Sequence, residues 1–311
     1  MRALFSGSFT GLSLFFTMIL LPSVACENEA PPLGSSILFS SLSAGGDHSC
    51  GLDSSQGALC WGRNGWGQAT PPNGRLRSIS AGAAHTCVID DEGGLFCFGL
   101  NDDQQASPPA GVFESVSAGR LQTCALDDDG GLFCFGCFEE SVRIEDDIPL
   151  CDEHGFRQKT GRFSQISVGR FNHLCALTDD KSIECFGDDS YGQASPPTGL
   201  GAALKVVAGF AHTCVLVESG ALICFGRDEY GESSAPQGQF VDVDVAATHS
   251  CAVDIDGKIQ CWGSNDSGQL DVPDDVKFTA VVTGDRHTCG LSEFRRALCW
   301  GRGTGGQLDT P

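Results

Sequence analysis

Two cysteines ten positions apart recur seven times along the 311-residue chain, and no other feature restricts its fold as much. The pairs are Cys50 with Cys60, Cys87 with Cys97, Cys124 with Cys134, Cys175 with Cys185, Cys214 with Cys224, Cys251 with Cys261, and Cys289 with Cys299. Successive first cysteines lie 37, 37, 51, 39, 37 and 38 residues apart, so one spacing is 14 too long, and it holds Cys137 and Cys151. The seventeenth cysteine, Cys26, stands alone near the N-terminus. Self-similarity at such a period marks a solenoid, a propeller or an array.

Within each unit a short apolar run leads to the first cysteine, a turn of Asp, Gly and Ser follows, and a second run carries the other cysteine. Asp-x-x-Gly between two short apolar runs is hairpin chemistry, because Gly supplies the positive φ that closes the bend. Cysteines that flank such a turn symmetrically face each other across the ladder at about 4.5–5.5 Å between Cα atoms, within disulfide reach. Each bridge then contributes roughly 2.5–3 kcal/mol at most in the chain-entropy view. Trp or Phe follows the second cysteine in every unit, with Gly after it: Trp61, Phe98, Phe135, Phe186, Phe225, Trp262 and Trp300. A bulky residue at one recurring slot predicts packing between repeats. A four-strand unit of this length cannot bury both its faces alone, so neighbours must stack on it. Seven such units over residues 37–311 predict an all-β fold, a seven-bladed β-propeller. The chain begins this span at SILFSSLSAG and stops at GQLDTP, back and front parts of one repeat, which predicts closure by pairing N- and C-terminal segments in one blade.

Residues 1–25 hold no acid and one base, Arg2, with an apolar run from Leu12 to Leu21. That run is shorter than the ~20 residues a spanning helix needs. With Ser23 and Ala25 before Cys26 it fits a secretory signal peptide, followed by a flexible tether over 26–36. PSVAC also matches a lipobox in part, so Cys26 is either a lipidated first residue or the N-terminus of a plain secreted protein. Either way the mature chain is expected outside the cytosol, secreted or lipid-anchored to a bacterial envelope, where disulfides persist. Its membrane contact is expected only through a lipid on Cys26. The 40 acids against 19 bases argue against gripping nucleic acid or an anionic membrane, each of which needs a basic face.

Ala-Gly-x-x-His-Thr-Cys (Ala81 to Cys87, Ala208 to Cys214), the Cys-Trp-Gly or Cys-Phe-Gly strand end, and Gly-Gln before a Pro stretch (Gly67, Gln68, Pro71, Pro72; Gly192, Gln193, Pro196, Pro197) resemble the regulator-of-chromosome-condensation family. The resemblance runs through 37–311 and implies a propeller. The repeat length is similar to that of a secreted bacterial propeller that inhibits β-lactamases. The family name implies exchange-factor activity on a small GTPase, which a signal peptide argues against.

Candidate chemistry is sparse. His48, His85, His173, His212, His249 and His287 stand two residues before the first cysteine, with Gln122 in the third unit. His-x-Cys plus a second Cys is a conceivable zinc triad. The competing reading, a structural His donating to backbone in each blade, is preferred because Gln122 can do that job and is a poor zinc ligand. His154, in the insertion, has no suggestive partner. Asp127-Asp128-Asp129-Gly130 and Asp254-Ile255-Asp256-Gly257 read as turns, since an EF-hand also needs a closing Glu and flanking helices. Gly301, Gly303 and Gly306 satisfy G-x-G-x-x-G with no helix to follow. No catalytic residue, metal or cofactor is predicted.

Two features rise above that background. The slot six residues after the second cysteine holds Trp66, Asp103, Tyr191, Tyr230, Ser267 and Gly305, including both tyrosines of the chain. On one propeller face Trp66, Tyr191 and Tyr230 suit a protein or glycan partner, or they pack on their own loops. The insertion 137–161 carries CFEESVRIEDDIPLC, a loop that Cys137 and Cys151 can close, with Phe138, Glu139 and Glu140 as candidate contacts. The reading that results is a monomeric, non-enzymatic binding scaffold for a protein partner. Its alternatives are a carbohydrate-binding or glycan-processing propeller and a purely structural envelope protein.

Overall fold

Alternating burial and a hairpin turn every few residues fold each repeat into an antiparallel meander of three strands. The computed structural model describes residues 37–137, 157–159 and 162–311, the short middle piece through its backbone. The signal segment, the tether, Cys26, Phe138, Glu139, Glu140, Cys151 and His154 lie outside the described residues. Blade 1 comprises Phe39–Ala44, His48–Asp53 and Ala58–Gly62; blade 2, Leu76–Ala81, His85–Asp90 and Leu95–Gly99; blade 3, Phe113–Ala118, Gln122–Asp127 and Leu132–Gly136. Blade 4 comprises Phe163–Val168, His173–Thr178 and Ile183–Gly187; blade 5, Ala203–Ala208, His212–Val217 and Leu222–Gly226. Blade 6 is built from Phe240–Val245, His249–Asp254 and Ile259–Gly263, and blade 7 from Phe278–Thr283, His287–Ser292 and Ala297–Gly301. First strands of neighbouring blades lie against each other around the axis, and third strands form the rim.

The expected four strands per repeat are three in the described sheets. Only blade 3 gains a fourth, Arg157–Lys159, antiparallel to Leu132–Cys134. The remaining quarter of each regular repeat is the Gly-Gln-Pro segment. Its prolines remove ladder donors and its glycines take positive φ, as at Gly67 and Gly192, so it turns and packs instead of pairing.

All seven cysteine pairs are bridged, each across directly opposed residues of the second and third strands. Their Cα atoms are 4.0–4.1 Å apart, slightly inside the spacing expected for such a pair. Cys137 is also disulfide-bonded.

Apolar residues of one blade interdigitate with those of the next at every junction. Between blades 3 and 4, for example, Leu126 and Leu132 meet Phe163, Ile166 and Leu174. The junction of blade 7 with blade 1 is built the same way, with Leu291, Ala297 and Cys289 against Phe39 and Trp61. There Phe39 N–H donates to Arg295 O (2.8 Å), and Trp61 Nε1 donates to Gln307 O (3.0 Å). The C-terminal segment thus seats on the first blade, consistent with closure by the two ends.

Candidate functional site

A closed belt of hydrogen bonds around the axis supports the candidate site. All six blade histidines are fully buried. Each Nε2 meets a hydroxyl of the following blade: His48 with Thr86 (2.7 Å), His85 with Thr123 (2.8 Å), His173 with Thr213 (3.1 Å), His212 with Ser250 (2.9 Å), His249 with Thr288 (3.0 Å) and His287 with Ser49 (2.8 Å). The Thr86, Thr123, Thr213, Ser250 and Thr288 hydroxyls donate onward to the main-chain oxygens of Gln68, Gln105, Gln193, Glu232 and Gln269. A hydroxyl that donates to a carbonyl must accept from the imidazole, so in these five pairs Nε2 carries the hydrogen. Burial foremost pushes the ring pKa down, to about 3 at His48, His212 and His249 and to about 4 at His85, His173 and His287. The rings are therefore neutral struts. They are structural, but they bond a hydroxyl side chain of the next blade and not the backbone of their own. The cysteines beside them are bridged, and no group of three metal-ligating side chains occurs among the described residues.

The same glutamines fix the loop slot. Gln68, Gln105, Gln193, Gln269 and Gln307 are buried, and the side-chain Oε1 of each accepts the main-chain N–H two residues back, at Trp66, Asp103, Tyr191, Ser267 and Gly305. Glu232 does this for Tyr230 (2.7 Å). Asn or Asp two residues before the slot holds the far side of the loop, as where Asn64 Oδ1 accepts Ala69 N–H and Asp189 Oδ1 accepts Ala194 N–H. One buried residue thus holds the slot with its side chain and the next blade with its carbonyl. Trp66, Tyr191 and Tyr230 are 55%, 54% and 48% exposed on these fixed loops.

In all seven blades the residue after the third strand donates its N–H to the loop joining the first two strands, as Arg63 does to Asp47 O and Cys137 to Leu121 O. This places the slot loops, the axial loops and the start of the insertion at one end of the ring. Over blades 4 and 5 that end carries a continuous stack. Phe171 and Phe210 lie face to face at 4.9 Å, and the Arg227 guanidinium sits 5.5 Å from the Phe210 ring and 5.9 Å from the Tyr230 ring. Arg227 Nε donates to the fully buried Glu232 (2.7 Å), and its NH2 to Ala247 O (3.1 Å). Glu stands here where the other loops have Gln, and its charge brings the guanidinium to the face of the rings.

At the centre of this end Arg170 reaches from blade 4 to Asp285 of blade 7 and to Ala44 O of blade 1 (3.1 Å). With its side chain 10% exposed, it ties opposite sectors of the ring. The acidic turns bond their own backbone: Asp254 Oδ1 accepts the N–H groups of Asp256 and Lys258.

The model of the regulator of chromosome condensation (RCC1) repeat matches residues 39–68, 76–105, 163–193, 204–232, 240–269 and 278–307, more than half of the chain. The chain belongs to the RCC1-repeat family. Blade 3, which carries Gln122 in place of His and is followed by the insertion, falls outside the matched segments. Among solved structures, the CRINKLY ectodomain of the Arabidopsis thaliana receptor kinase ACR4 superposes with TM-score 0.72 at 22% identity, covering 87% of this chain and 97% of that one. The entire ectodomain of the Physcomitrella patens receptor kinase CR4 gives 0.70 at 22% identity, over 85% and 74% of the two chains. Prp20p from Saccharomyces cerevisiae gives 0.66 at 15% identity over 88% and 84%. No curated protein matches the chain. These likenesses establish an RCC1-type propeller.

The described structure brings Tyr230 together with Phe171, Phe210 and Arg227, three residues that sequence reading missed. Phe171 and Phe210 share one slot, two residues before the blade histidine, a column that elsewhere holds Gly46, Ala83, Arg120, Ala247 and Asp285. A second visible sign was Glu232 in a column of glutamines.

Proposed function

We propose that this chain is a non-enzymatic scaffold outside the cytosol that binds a protein partner through the loop end of its ring. The observation that carries this reading is the Phe171–Phe210–Arg227–Tyr230 stack on backbone already fixed by buried Gln and Glu side chains. Aromatic and Arg side chains supply most of the energy of protein contacts, and a loop that is ordered beforehand loses little entropy on binding. Seven bridged blades support an oxidising compartment. The ACR4 and CR4 propellers are receptor ectodomains, and Prp20p is described by its binding to Gsp1p and histones, which favours a protein as the ligand class.

The test is capture from the native envelope with the wild-type chain and with a Trp66→Ala, Tyr191→Ala, Tyr230→Ala variant, partners being read by mass spectrometry. The exposed side chains leave folding intact, so the variant is expected to melt as the wild type does and to lose the captured protein. Equal capture by both overturns the reading. A glycan array run beside it decides against a protein ligand if saturable sugar binding is the only signal.

A further inference from the structure

The rim of the ring holds one sequence twice, once covered and once open. Residues 90–99, DDEGGLFCFG, and 127–136, DDDGGLFCFG, differ at a single position, Glu92 against Asp129. Both form an acidic hairpin followed by the outer strand of a blade. In blade 3 that strand is covered by Arg157–Lys159, in antiparallel register with Arg157 opposite Cys134, Gln158 opposite Phe133 and Lys159 opposite Leu132. In blade 2 the equivalent strand, Leu95–Gly99, has no strand on its outer side among the described residues.

The side chains follow the same division. Phe133 packs edge-on against Phe113 at 5.7 Å, whereas Phe96, its counterpart, is 50% exposed. Phe96 forms one wall of a cleft of about 390 Å³ with Pro72, Arg75, Leu76, Asp91 and Glu92, where Arg75 pairs with Asp91 at 2.9 Å and Glu92 has no such ion-pair partner among the described residues. An open outer strand presents a row of main-chain donors and acceptors, which an extended peptide can complete as an added strand. In blade 3 the added strand has Arg and Lys at alternate positions of its sequence and the preceding hairpin has three aspartates; blade 2 keeps the three acids in sequence, with Asp91 paired to Arg75.

We propose that the outer edge of blade 2, Leu95–Gly99, docks an extended segment of a partner protein with basic residues at alternate positions, as an antiparallel fourth strand. The backbone supplies the ladder, the Asp90–Glu92 hairpin selects the cations, and the cleft beside Phe96 takes an apolar neighbour. The rim site is separate from the loop end and stands whether or not that end binds a protein.

A labelled peptide copying residues 154–161 is titrated into the full mature chain, with hydrogen exchange read on both outer strands. The expected result is saturable binding with new protection of Leu95–Gly99. Binding is expected to weaken by about ten-fold for an Arg157→Glu, Lys159→Glu peptide, and at least as much for a peptide N-methylated at the Arg157 and Lys159 amides, which are the ladder donors opposite Cys134 and Leu132. A Glu92→Lys protein alters only the exposed turn and leaves the Arg75–Asp91 pair in place, and it weakens wild-type peptide at unchanged melting temperature. The proposal fails if millimolar peptide does not saturate, if the N-methylated peptide binds equally, or if protection falls on Leu132–Gly136 instead. Protection of Leu95–Gly99 that rises with protein concentration in the absence of peptide identifies a second copy as the occupant and also overturns it.

Discussion

The junction between blades 3 and 4 differs from the other six in three linked ways. Elsewhere a Gln or Glu carbonyl accepts a hydroxyl or an indole N–H of the next blade, and that blade's hydroxyl accepts from a histidine. At the exceptional junction the insertion stands where the others have the Gly-Gln segment, and no such carbonyl occurs among the described residues; Leu174 stands where the others have Thr or Ser, and Gln122 stands in place of His. The longer Gln side chain reaches past Leu174 to donate to Gly169 O at 3.1 Å. The contrast shows that His, Thr and Gln form one device in three columns. Losing the acceptor removes the reason for the other two, because a buried donor or hydroxyl without a partner costs more than an apolar residue.

The largest effect expected from the regular junctions is on acid stability. The six rings stay neutral in the folded chain well below 6.5, mainly through burial, so on acidification the unfolded chain takes up protons that the folded one refuses. Their contribution is complete above about pH 6.5 and falls through the window down to pH 3–4. Each ring loses up to about 1.4 kcal/mol per pH unit, and six together on the order of 8 kcal/mol per unit below about pH 6. Urea unfolding between pH 7 and 5 is expected to show a midpoint that drops steeply with acid. A flat profile contradicts the neutral belt.

A smaller effect sharpens the comparison itself. Thr213→Val removes the acceptor of His173 and is expected to destabilise by about 1–3 kcal/mol, as a buried donor is orphaned. Gln122→His places an imidazole where no hydroxyl awaits it and is expected to cost a similar amount. Adding Leu174→Thr to Gln122→His recovers part of that loss by supplying an acceptor. Chemical denaturation of the three variants checks the order. If Gln122→His is neutral, the columns are not linked.

The blades themselves were legible, because a cysteine pair ten apart around a turn fixes register and count together. The role of the histidines was half legible. Their structural nature followed from Gln122, but the partner did not, since each bond crosses to a hydroxyl 38–40 residues away, or 238 at the closing junction. The Ser, Thr and Leu174 column next to the histidines carried that signal. The three-strand blades were misjudged because the Gly-Gln-Pro segments are as long as a strand with its turns, although their residues favour bends. Of the loop end, the exposed slot was visible, while Phe171, Phe210 and Arg227 come together only through the ring.

The account rests most on seven blades each closed by its own bridge, and peptide mapping of the unreduced mature chain tests that directly. It predicts seven linked pairs, Cys50–Cys60 through Cys289–Cys299, each within one hairpin. Free thiols at these positions, or a bridge between cysteines of different blades, contradicts it.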